Sequence, residues 1–122
     1  MQLVFEDDGR VAYAYLFSEG EIVGDVWLYN SGETPDNPDW EDFSEMPFLN
    51  GREFSKGERY PRIHEVSEVR VQWADDHDGT AGRAELYLRE KLFAILEPGA
   101  KPGWSRWALK DGPLAKAFPA EL

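Results

Sequence analysis

The chain has 122 residues, 42% of them apolar and 14% aromatic, no cysteine, and a net charge of −11. That length suits a single domain over residues 1–122, able to bury roughly two-thirds of the surface of its unfolded chain, and no run approaches the ~18 apolar residues of a membrane span. The acidity excludes nucleic acid and anionic lipid as expected partners, since both need positive charge on the protein.

The charge is unevenly placed. Residues 1–50 carry twelve acids against one base, Arg10, whereas residues 51–122 carry twelve of each. The whole excess therefore lies in the first part of the chain. Charge alone fits a well-solvated surface as well as one that meets a basic partner. The start, MQLVFEDDGR, has neither the basic stretch nor the apolar run of a secretory signal. Absence of cysteine permits a reducing compartment, so a cytoplasmic protein is expected.

In chain order, residues 2–6 read as a first strand, and Asp7-Asp8-Gly9-Arg10 supplies a hairpin turn. Residues 11–17 place Val11, Tyr13, Tyr15 and Phe17 on one face and Ala12, Ala14 and Leu16 on the other. Both faces are apolar, which predicts a central strand covered on both sides. After the turn at residues 18–21, residues 22–29 return with Val23, Asp25, Trp27 and Tyr29 on one face and Ile22, Val26 and Leu28 on the other. Gly24 marks a bulge or a close approach. Residues 66–73 alternate clearly, with Val69, Val71 and Trp73 opposite Glu68, Arg70 and Gln72. Residues 83–89 point Ala84, Leu86 and Leu88 inward, and residues 92–96 form the hairpin partner across Glu90-Lys91. Pro98 to Gly103 break the pattern, and Ser105 is placed to cap a short helix bearing Trp107, Ala108 and Leu109. The expected fold is mainly β: an antiparallel β-sandwich or half-open barrel with a short C-terminal helix.

One segment stands apart. Residues 33–48, ETPDNPDWEDFSEMPF, hold Glu33, Asp36, Asp39, Glu41, Asp42 and Glu45 with Trp40, Phe43, Met46 and Phe48, and no base. Pro35, Pro38 and Pro47 exclude one regular element across it. Aromatics supply contact area and carboxylates supply direction. Asp36, Asp39, Trp40, Glu41, Asp42, Phe43 and Glu45 are therefore the candidate partner-binding residues. The competing reading folds Trp40, Phe43 and Phe48 over an open sheet face and leaves the acids in water.

Other constellations carry less. His77 lies in Asp75-Asp76-His77-Asp78-Gly79, a run of turn formers without the alternation or terminal Glu of a calcium loop. His64 stands near the start of a strand and reads as structural. No nucleophile elbow, phosphate loop or zinc-protease motif occurs. No catalytic residue, metal or cofactor is assigned, and the chain is not expected to be an enzyme. Trp104, Arg106 and Trp107 have the chemistry to stack on bases, but are expected to dock the tail onto the sheet.

Small size, lack of cysteine, acidity confined to one part and many Trp and Tyr residues make the chain similar in character to the small acidic immunity proteins of bacterial toxin systems. The resemblance covers that general character and carries no residue-level motif. It implies a cytoplasmic antagonist that binds a basic protein, a cognate toxin such as a nuclease, through carboxylates. The alternatives are a small-ligand-binding β domain lined by Tyr13, Tyr15, Trp27 and Trp73, and, less favoured, an enzyme that uses paired carboxylates.

Overall fold

The structure is a computed structural model, and it describes residues 2–31, 50, 54–56, 60, 61, 63, 65–74 and 82–118. The first sheet is antiparallel, in the order β1 (Gln2–Asp7), β2 (Val11–Ser18), β3 (Glu21–Asn30). Its first turn is set by short side chains. Asp7 Oδ1 accepts from the Gly9 N–H at 2.8 Å, and Asp8 Oδ1 accepts from the N–H groups of Arg10 and Val11 at 2.9 Å. Its second turn places Glu19 and Gly20 at φ 53° and 81°. Paired positive φ values match the right-handed twist of the flanking strands.

The second sheet follows a single 3-10 turn at Val66–Glu68. It runs β4 (Val69–Ala74), β5 (Arg83–Leu88), β6 (Lys91–Leu96), β7 (Trp104–Ser105), β8 (Lys116–Ala117) in that spatial order. Pairings are antiparallel except β7 with β8, which is parallel. The β5–β6 turn uses Arg89 and Glu90 at φ 49° and 66°, with no glycine. Arg89 is tied down by its side chain, which donates to Glu68 Oε1 at 3.3 Å and to the Pro61 carbonyl at 3.2 Å.

The sheets meet through one continuous core. Ala12, Ala14, Leu16, Val26 and Tyr29 belong to the same fully buried cluster as Ala84, Leu86, Leu88, Phe93, Ala94 and Leu96. The expected inward set of β5 is therefore observed. A backbone seam closes one side of the sandwich. β3 accepts at Val23 from Gly99 (2.7 Å), donates at Asp25 to Ala100 (3.1 Å), accepts at Asp25 from Gly103 (2.7 Å) and donates at Trp27 to Leu114 (2.9 Å). Gly24 makes this approach possible: a Cβ there would lie 3.0 Å from the Glu97 carbonyl and 3.3 Å from that of Ala100. β1 and β4 end their respective sheets, so the architecture is a sandwich and the barrel does not close.

Two expectations are corrected. β3 carries two bulges, because Ala12 pairs with Tyr29 but Tyr13 with Trp27, and Leu16 pairs with Gly24 but Phe17 with Ile22. Each extra residue reverses the alternation. Tyr29 thus shares the inner face with Val26, and Ile22 joins Asp25 and Trp27 outside. The expected C-terminal helix is absent among the described residues. Trp107 N–H does donate to Ser105 Oγ at 3.3 Å, but that hydroxyl also donates to the buried Leu28 carbonyl at 2.9 Å. The chain is drawn into β7, turns at Ala108 (N–H to Ser105 O, 3.2 Å), and bonds back to residues 54–56 through Lys56–Trp107 (2.9 Å) and Leu109–Phe54 (2.7 Å). Sheet pairing consumes the groups that a helix would need. Trp107 docks as expected, stacked on Phe93 (6.4 Å, 20°) and edge-on to Tyr60 (4.9 Å, 76°). Among the described residues no helix is long and apolar enough to cross a membrane.

Candidate functional site

Asp36, Asp39, Trp40, Glu41, Asp42, Phe43 and Glu45 lie outside the described residues, as do His64, His77 and the acidic run at residues 75–78. Of the twelve acids in residues 1–50, the described ones are Glu6, Asp7, Asp8, Glu19, Glu21 and Asp25, all on the first sheet or its turns. They divide by role. Asp7 is structural: its Oδ2 accepts from the buried Tyr29 hydroxyl at 2.6 Å and its Oδ1 from Ser31 Oγ at 3.3 Å. Asp8 shapes the first turn. Glu6 and Asp25 stand on the outward face of the sheet, and Glu19 and Glu21 lie in and beside the second turn.

Register composes that face, because residues paired across strands share a side. Glu6 stands opposite Tyr13. Val4, Tyr15 and Asp25 form one row across the three strands, and Gln2, Phe17 and Ile22 form the next. The Tyr13 and Tyr15 rings stack at 6.0 Å with an interplanar angle of 11°. A shallow recess between β1 and β2, lined by Glu6, Asp8, Val11, Tyr13 and Tyr15, encloses no room for a water molecule.

The two ends of the face differ. At one end Val11, Tyr13, Trp27 and Asn30 are buried. Asn30 Oδ1 accepts from Trp27 Nε1 at 2.9 Å and from the Asn50 N–H at 3.0 Å, while its Nδ2 donates to the Asn50 carbonyl at 2.9 Å. This end is a closed polar lock within apolar packing. At the other end Val4, Tyr15, Phe17 and Asp25 are half-buried, and Ile22 is 42% exposed.

Electrostatics separates the sheets. The second sheet balances its own charges, with Arg70–Glu90 at 3.7 Å, Arg83–Glu85 at 3.0 Å and Arg89–Glu68 at 3.3 Å. Arg70 also lies over the Tyr87 ring at 4.0 Å. Among the described residues Glu6, Glu19, Glu21 and Asp25 enter no ion pair. The field is felt locally. Burial pushes the Tyr15 phenol above its ordinary value, and Glu6, Asp25 and Asp8 push it further. Burial likewise raises the Asp25 carboxyl, with Lys101 acting against it. The face therefore offers half-exposed aromatic and aliphatic area beside carboxylates that enter no ion pair among the described residues.

The ligand-pocket set does not converge. Tyr13, Tyr15 and Trp27 share the outward face of the first sheet, with Trp27 fully buried, whereas Trp73 stands on β4 of the other sheet, 45% exposed. Among the described residues no three His, Asp or Glu side chains gather to hold a metal ion. No protein family, curated protein or solved structure matches the chain. Sequence reasoning did not assemble Val4, Glu6, Tyr15, Phe17, Ile22 and Asp25 into one face. The Asp-Gly turn was a sufficient signal for setting β1 against β2. The bulge that brings Ile22 to this side is marked only by Gly24 beside it.

Proposed function

We propose that the chain is an acidic binding protein of the immunity type, which neutralises a basic protein toxin by direct contact in the cytoplasm, without cofactor or catalysis of its own. The observation that carries this reading is the segregation of charge. The first 50 residues hold the entire excess of −11, and of its described carboxylates Glu6 and Asp25 stand on one aromatic sheet face without an ion pair among the described residues. A negative field of this kind draws in a positively charged partner and raises its association rate by roughly ten- to a thousand-fold. Where the toxin is a nuclease, carboxylates occupy the basic site that otherwise holds phosphates. Residues 33–48 extend the same chemistry, with Asp36, Asp39, Glu41, Asp42 and Glu45 steering and Trp40 and Phe43 anchoring.

The test is capture of the partner from cells that make the chain, identification by mass spectrometry, and stopped-flow association with the purified partner. The reading predicts a basic protein, inhibited at one-to-one stoichiometry. Its on-rate should fall steeply as ionic strength rises from about 0.05 to about 0.3 M. Replacing Asp39, Glu41 and Asp42 by Asn, Gln and Asn should slow association and flatten that dependence. An acidic partner, or an on-rate indifferent to salt, refutes it.

A further inference from the structure

The outward face of the first sheet has a chemistry of its own. Two rows, Val4–Tyr15–Asp25 and Gln2–Phe17–Ile22, lie side by side across the β1–β2–β3 meander. Val4, Tyr15 and Phe17 are half-buried, and Ile22 is one of the exposed large apolar residues. Glu6 and Asp25 bound this strip on β1 and β3, and Glu19 and Glu21 sit at the hairpin beyond it. Aromatic and aliphatic centres with a charged rim are the anatomy of a protein-binding patch.

We infer that this face is a docking surface for a basic protein, which seats an apolar side chain on Phe17 and Ile22 and sets flanking arginines against Glu6, Tyr15 and Asp25. The inference rests on the proposed function and names the part of the chain that makes the contact. Arginine fits the chemistry better than lysine. Its flat guanidinium can lie on the Tyr15 ring while donating to a carboxylate beside it. Tyr15 stands next to Asp25 in register, and Glu6 lies on the same face one pair along. The stack of Tyr15 on Tyr13, whose own ring is buried, holds the platform rigid. A second copy is a poor occupant. Face-to-face pairing would bring the Glu6 and Asp25 carboxylates of both copies together, with Lys101 beside Asp25 as a partial counter-charge.

The test uses the full isotope-labelled chain and two synthetic peptides, one with a leucine flanked on both sides by arginines, the other with glutamates in place of the arginines. The expected result is that the arginine peptide shifts the amides of residues 4, 6, 15, 17, 22 and 25. Ile22→Ser and Phe17→Ser should each weaken that binding by about fivefold or more, and the glutamate peptide should leave the amides unmoved. Ile22 is exposed, so its variant keeps the fold and remains decisive if Phe17→Ser does not. Shifts confined to residues 33–48 would overturn this inference and leave the proposed function standing. An equal response to both peptides, or none to either, would overturn it as well, and the capture experiment then decides the broader reading alone. Concentration-dependent dimerisation through these residues in sedimentation would assign the face to a second copy and overturn it too.

Discussion

Tyr29→Phe removes one oxygen from the junction between the sheets and leaves the ring in place. Tyr29 is fully buried, with Tyr60 at 4.8 Å and Phe93 at 6.0 Å from its ring centre. Its hydroxyl donates to Asp7 Oδ2 at 2.6 Å and accepts from the Ile63 N–H at 3.3 Å. The first bond is short and charge-assisted, and the second is long. Loss of the hydroxyl leaves a buried N–H without this acceptor, while Asp7 keeps Ser31 and the Gly9 N–H. Together these changes cost about 2 kcal/mol, which lowers the melting temperature by roughly 8 °C. There is a second signature at high pH. Burial and the hydrogen bond to Asp7 raise the Tyr29 phenol far above its ordinary value of 10.0. A raised folded-state value means that the stabilisation is complete below the unfolded value and is lost as pH climbs past it. The loss has a limiting slope of about 1.4 kcal/mol per pH unit for each such phenol. Urea titrations at neutral pH and across the alkaline range therefore predict a less stable variant that loses less stability per pH unit above about pH 10. Equal stability, or parallel alkaline slopes, would refute the assignment of this hydroxyl as the link between β1, β3 and residue 63.

The remaining predictions concern the face, a turn and the tail. Asp25 has its carboxyl raised by burial, so its ionised form opposes folding. Asp25→Asn should raise the melting temperature at neutral pH, with the gain fading as pH falls towards the ordinary carboxyl value of 3.8, and it should weaken partner binding. Gly20 has φ 81° and open space around an added Cβ, so Gly20→Ala should cost about 1 kcal/mol in chemical denaturation through backbone conformation alone. Trp107 packs on Tyr60 and Phe93, but its indole N–H is buried with no hydrogen-bond acceptor among the described residues. Trp107→Ala should therefore cost about 3 kcal/mol, whereas Trp107→Phe should cost under about 1.5 kcal/mol; equal losses in thermal melts would contradict the packing account.

The strands were legible because period-two alternation survives wherever pairing is regular. Ala84, Leu86 and Leu88 point inward as their spacing dictates, and the Asp-Gly turn sets β1 against β2. Alternation failed on β3, where two unpaired residues each reverse the side on which the chain presents its residues. Nothing in Ile22 to Asn30 announces a bulge except Gly24, and its role is close approach to the β6–β7 connection. The tail failed for another reason. Ser105 does bond to the Trp107 N–H, as a cap would. Its hydroxyl is also spent on Leu28, and long-range strand pairing outweighed a short helix that had little stability of its own. The acidic character of the first part was plain from counting, but its placement around Tyr15, Phe17 and Ile22 needed the register.

The central claim is that negative charge gathered in the first 50 residues guides a basic protein onto this chain. The most direct measurement is the association rate constant with the captured partner, taken across a salt series for the unaltered chain and for Glu6→Gln/Asp25→Asn. The account predicts a steep fall with ionic strength for the unaltered chain, and a slower, flatter series for the double variant at unchanged fold. Identical salt series for the two proteins would remove the first-sheet face from the encounter. A rate that does not respond to salt in either would contradict the claim itself.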